Sequence, residues 1–232
     1  MIDVRKFDSL GHADHGWLNA KHHFSFADYY DPARMSWGAI RVWNDDEIAA
    51  RSGFPPHPHR DMEIITYVRT GAITHQDSMG NKGRTAAGDV QVMSAGTGVR
   101  HAEFNLEDET TTLFQIWVLT DQPGARPSWG AAKFPREDRS GRFVTLASGF
   151  GEDGDALRIN SAARVMGATL AAGDTAELQL DPARHVYLVA TGGPIEVNGV
   201  RAEARDGVAV TGEEQLTIRA VGDAEIVLVD AR

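Results

Sequence analysis

The chain has 232 residues, a length that suits one large all-β domain or two compact ones of about a hundred residues each. Hydrophobic residues make up 42% and charged residues 24%, the composition of a folded soluble protein, and a net charge of −10 without any Lys/Arg cluster argues against direct nucleic-acid binding. Cysteine is absent, which excludes disulfides, thiolate metal sites and cysteine nucleophiles, so any metal must be held by His and carboxylate.

The opening segment, Met1 to Trp17, carries Asp3, Asp8, His12, Asp14 and His15 and lacks the apolar run of a signal peptide. No stretch approaches the roughly 20 apolar residues of a membrane span, so a cytoplasmic protein is expected. Runs of β-branched and aromatic residues then predict strands over Ala39–Trp43, Glu63–Val68, Val90–Met93, Thr112–Leu119 and Phe143–Ala147. Four more follow at Arg184–Ala190, Gly207–Thr211, Gln215–Arg219 and Glu225–Val229. Turn signals separate them, among them Thr70-Gly71, Gly80-Asn81, Gly88-Asp89, Asn198-Gly199 and Asp206-Gly207. Many short, evenly spaced strands predict antiparallel sandwiches or barrels with little helix. The punctuation from Val68 to Val92 recurs from Val189 to Val210, which predicts an internal duplication. Two similar β-barrels are expected, over residues 1–135 and 136–232, joined in the polar stretch Pro135 to Asp155.

His57-Pro58-His59 sets two imidazoles at i and i+2, and in a strand alternate side chains share a face. His101-Ala102-Glu103 repeats that spacing 42 residues after His59. Two such dyads on neighbouring strands offer three imidazole nitrogens and one carboxylate oxygen, a set that suits a borderline divalent metal such as iron and leaves positions open for chemistry. Pro58, lacking an N–H, fits best at an edge or a strand start. Glu63 lies four residues beyond His59 and would share its face on an unbroken strand. A fifth ligand, or an acceptor that orients an imidazole, are both open to it. His75, in a strand after the Gly71 turn, could reach the pocket wall. His12, His15, His22 and His23 read as a covering strand or pocket rim, His185 as structural, and Trp17, Trp37, Trp43 and Trp117 as core.

Gly53, His57-x-His59, Glu63 and Gly71 are similar to the first motif of the cupin superfamily with altered loop lengths, and Gly98-x-x-His101-x-x-x-Asn105 to the second. The stretches His12–Trp17, Phe24–Pro32, His75-Gln76-Asp77-Ser78-Met79-Gly80-Asn81 and Met93–Gly98 resemble, more narrowly, the pirin family, including its bacterial quercetinase-like members. The resemblance is strong over residues 1 to about 120 and one of layout beyond.

The resemblance implies a bicupin fold, with two jelly-roll-type antiparallel barrels of which only the first is metallated. It places the metal ligands on His57, His59, His101 and Glu103, choosing Glu103 over Glu63. The implied cofactor is Fe(II), with Zn, Mn, Ni, Cu or Co as substitutes. The implied activity is that of a quercetin 2,3-dioxygenase, acting on a flavonol or similar enolic aromatic compound with dioxygen, Glu103 serving as catalytic base. The alternative it implies is a non-enzymatic, iron-dependent redox sensor that binds a protein partner, and both readings share every site residue. Aligning Thr70-Gly71 with Thr191-Gly192 sets Leu178 and Leu180 against His57 and His59. Thr217, Ile218 and Arg219 fall near the second dyad, so the second barrel is expected to lack metal ligands.

Overall fold

Nine segments rich in β-branched and aromatic residues were expected as strands, and all nine are strands in the computed structural model, which describes all 232 residues, eight with shifted ends and Gly207–Thr211 with the same ones. Helix is confined to three single 3-10 turns, Phe7–Ser9, Pro32–Arg34 and Glu137–Arg139, and no helix is long and apolar enough to cross a membrane.

In the N-terminal half a seven-stranded sheet runs, in spatial order, Ser128–Ala132, Val90–Ser94, Met62–Thr70, Thr111–Leu119, Ile40–Ile48, Leu18–His22 and Gly11–Asp14. A four-stranded sheet runs Ser52–His59, Val99–Asn105, Ala72–Asp77 and Lys82–Ala86. The C-terminal half repeats the layout. Its large sheet runs Ile2–Arg5, Gly207–Thr211, His185–Ala190, Ala224–Ala231, Ala163–Leu170, Val144–Ser148 and Leu157–Arg158. Its small sheet runs Thr175–Gln179, Gln215–Ala220, Ile195–Val197 and Val200–Ala202. The duplication read from turn spacing is thus one of architecture, a bicupin.

The outermost strands are exchanged. Ile2–Arg5 precedes the first barrel in the chain yet pairs with Gly207–Val210 of the second. Ser128–Ala132 precedes the second barrel's other strands yet pairs with Val90–Ser94 of the first.

The two large sheets stack back to back. Trp43, Ile65, Tyr67, Phe114 and Ile116 from one pack with Val165, Tyr187, Val189, Val227 and Val229 from the other in a single buried cluster. Buried charges tie the layers: Arg205 donates to Asp45 at 2.7 Å, and Arg139 donates to the Tyr67 hydroxyl and to Glu225, each at 2.7 Å. Alternation along each strand sends the other residues inward, and here the barrels differ. The second interior is filled by Val186, Leu188, Val208, Leu216, Ile218, Ile226 and Leu228. The first turns Asn44, Asp46, Thr66, Gln91 and Gln115 inward, all buried, around a cavity.

Candidate metal centre

Register places the two dyads side by side. His57 lies directly opposite His101, and His59 opposite Val99, across the Ser52–His59 and Val99–Asn105 strands. Ser52–His59 is the edge of its sheet, which accommodates Pro58. Phe54 pairs with Glu103 and His57 with His101, so Pro55 and Pro56 together face Ala102, and the ladder bulges beside the site. The ring centroids of His57, His59 and His101 lie 4.4–4.8 Å apart, and one nitrogen of each falls within 4.8 Å of the others. His57 donates from Nδ1 to the Pro55 carbonyl at 2.8 Å, which leaves Nε2 as its free lone pair. His101 Nε2 is fully buried and has no hydrogen-bond partner.

Burial, and then the charge of His57, lowers the His59 pKa to about 4. Burial followed by His57, His59 and His75 lowers that of His101 to about 2. These rings are therefore neutral at pH 7, the form that ligates metals.

Glu103 follows His101 by two residues and shares its face. Gln91 Nε2 donates to its Oε1 at 2.6 Å, Gln115 Nε2 to its Oε2 at 2.8 Å, and Thr66 Oγ1 to its Oε1 at 3.3 Å. Burial nevertheless raises its pKa to about 7, the three donors offsetting only part of that cost. A carboxylate oxygen of Glu103 lies within 4.8 Å of ring nitrogens of His75 and His101, and Glu103 lines the same cavity as the three histidines. Three converging imidazoles, those of His59 and His101 held neutral by burial, an orphaned buried nitrogen and a buried carboxyl with no cationic side chain beside it fit a borderline divalent metal.

Glu63 is elsewhere. The chain turns at Asp61 (φ 48°), and a new strand begins at Met62. Ile64 and Thr66 face the cavity, so Glu63 falls on the opposite face, toward the other barrel, where Ser94 donates to it. The assumption of an unbroken strand, which put Glu63 beside His59, fails at that turn. His75 does reach the wall behind His101, at 3.4 Å between their Nδ1 atoms.

The cavity has a volume of ≈ 360 Å³. Trp17, Phe26, Phe54, Ile64 and Trp117 form its apolar side. Trp17 and Trp117 therefore line the pocket and are not core, Trp117 standing edge-on to His59 at 4.9 Å between centroids. Trp43 is core, and Trp37 packs against His185. Of the early histidines, His15 and His22 line the cavity, whereas His23 is buried against the Tyr187 hydroxyl at 2.9 Å and His12 bonds Asn19 at 2.8 Å. Sequence reasoning missed Asp46, a buried cavity residue whose Oδ1 has no partner. Burial, then the charges of Asp45 and Glu103, raise its pKa well above the usual carboxylate range. The signal was present: Asn44 and Asp46 put polar groups on the strand face that otherwise bears Val42 and Ile48.

Comparison with known proteins bears on this site. Residues 3–118 match the family described as pirin, and residues 145–231 the quercetinase C-terminal cupin domain. A pirin-like protein of Caulobacter vibrioides is 67% identical over 231 residues, covering 100% of both chains. A protein of Escherichia coli strain K12 named quercetin 2,3-dioxygenase is 41% identical, over 99% of this chain and 98% of that one. The crystal structure of the bacterial pirin YhhW from Escherichia coli in complex with nickel(II) superposes with a TM-score of 0.93 at 40% identity, covering 100% of this chain and 99% of that one.

Proposed function

This chain belongs to the pirin family, and on that premise we propose that it is a metal-dependent dioxygenase of the quercetin 2,3-dioxygenase type, with iron(II) held by His57, His59, His101 and Glu103. One observation carries the reading: three imidazoles converge beside a buried carboxyl in an aromatic-walled cavity. When bound, iron supplies Lewis acidity toward an enolic hydroxyl and one-electron chemistry with dioxygen.

The chain's own residues do the rest. Trp17, Phe26, Phe54 and Trp117 offer flat apolar surface, and ≈ 360 Å³ lies within the range of small-molecule pockets. They favour a planar aromatic substrate such as a flavonol, and they exclude water from the reacting end. Glu103, whose carboxyl burial pushes up to about 7 in the metal-free protein, is the carboxylate placed in the cavity to accept the substrate's enolic proton. The Gln91 and Gln115 amides hold its two oxygens in place while that proton moves.

The test is oxygen uptake with quercetin after anaerobic loading with iron(II). Iron-dependent uptake that disappears in His101→Ala supports the dioxygenase. Iron binding without uptake, together with iron-dependent capture of a protein partner, would replace it with the sensing role.

A further inference from the structure

The stretch His75–Asn81 has no part in the proposed chemistry, yet it builds a hydrogen-bond chain that ends at His101. Asp77 accepts four hydrogen bonds. Met79 N and Asn81 N donate to its Oδ1 at 2.9 and 3.0 Å, and Asn81 Nδ2 and His75 Nε2 approach its Oδ2 at 2.9 and 3.0 Å. Although burial opposes the charge, these donors hold the carboxyl below its ordinary pKa, so it is an acceptor only. His75 Nε2 must then carry a hydrogen. Were His75 also to carry a hydrogen on Nδ1 and donate it to His101, His101 Nε2 would be a buried N–H with no acceptor, so the His75 Nδ1 is a lone pair. That lone pair faces His101 Nδ1 at 3.4 Å, and two nitrogens in such contact share one hydrogen, which only His101 can supply. His101 Nε2 is left as a bare lone pair, the same atom that is buried without a partner.

We propose that Asp77 and His75 are positioning residues that fix His101 in its Nδ1–H tautomer and hold Nε2 ready for the metal, an inference that rests on the reading of His101 as a ligand. The 3.4 Å contact is long, so its role is to select the tautomer more than to add energy. The relay is braced from behind. His75 stacks on Trp129 with centroids 4.9 Å apart and planes at 11°, and Trp129 comes from the exchanged strand Ser128–Ala132. Gly83 leaves room for that indole, since a Cβ there would lie 2.3 Å from it. An anion relayed to the far nitrogen of a ligating imidazole raises its basicity and fixes its orientation.

The tautomers can be read directly. Long-range proton–nitrogen correlation NMR on the full metal-free chain is expected to show His75 as Nε2–H and His101 as Nδ1–H. Finding His101 as Nε2–H would overturn the relay, whatever the metal does. Cobalt(II) then serves as the probe ion. His75→Leu, which removes the acceptor, is expected to weaken cobalt binding about 10- to 100-fold and to alter its visible spectrum. His75→Asn, whose carbonyl can stand where Nδ1 was, is expected to restore most of both. Wild-type affinity and spectrum in His75→Leu would refute the positioning role. Cobalt binding that survives both His57→Ala and His101→Ala would refute the ligand reading instead, and the metal-free tautomers would still judge the relay.

Discussion

Replacing Glu103 by Gln should stabilise the metal-free protein at alkaline pH, even as it damages the proposed chemistry. Glutamine matches the shape of the protonated acid, and turning over the Gln115 amide lets its carbonyl accept from the new NH2 while Gln91 and Thr66 still donate to the other side. The carboxyl's pKa is raised from 4.5 to about 7 by burial. Between those values the folded state holds a proton that the unfolded chain has released, so stability falls as pH rises through that window. At about 1.4 kcal/mol per pH unit the whole loss reaches about 3 kcal/mol by pH 8. Glu103→Gln escapes it: wild type and variant should match at pH 5, and the variant should gain about 3 kcal/mol at pH 8. In melting temperature that is about 6–12 °C for a chain of this size. Urea unfolding of both metal-free proteins at the two pH values is the assay. Excess nickel(II) at pH 8 should then raise the wild type more than the variant, because the ion supplies the positive charge the carboxylate lacks. A difference between wild type and variant that is the same at pH 5 and pH 8 would refute the claim that burial holds Glu103 neutral.

His57→Ala and His101→Ala are each expected to lose at least nine-tenths of bound iron, by elemental analysis, with an unchanged circular dichroism spectrum; wild-type iron content in both would sink the ligand set. Gly83→Ala drives a methyl into Trp129, and overpacking of this kind costs about 1–3 kcal/mol, read as a lower melting temperature. A wild-type melt would mean the indole has room that the packing denies. Leu188→Ala, fully buried in the aliphatic fill of the second barrel, should cost about 2–5 kcal/mol in urea while leaving metal content per folded chain untouched. Loss of metal in that variant would show that the two interiors are coupled.

The two dyads were legible because strand geometry converts an i, i+2 spacing into a shared face, and His57-x-His59 is the chain's one pair of histidines at that spacing. Glu63 was misplaced by the same logic, since period two holds only while the strand is unbroken and Asp61 ends it. The strand Ala163–Leu170 was missed because Gly167 interrupts its β-branched pattern. That glycine is there to admit Arg139 and Leu146, whose side chains lie 3.0–3.1 Å from where a Cβ would stand. Trp17 and Trp117 look like core residues in composition, and only the fold shows that the surface they cover is a cavity. The pairing of Ile2–Arg5 with a strand some two hundred residues away leaves no local trace in sequence at all.

That pairing also interlocks the two repeats. The first strand of each repeat completes the other repeat's barrel, the arrangement of a homodimer whose two copies each lend an arm to the other. Within one chain the halves are free to differ, since a change in one does not appear in the other. The strands equivalent to those bearing the histidines turn Ala176, Leu216 and Ile218 inward, so one barrel is solid ballast where its sibling encloses a chamber.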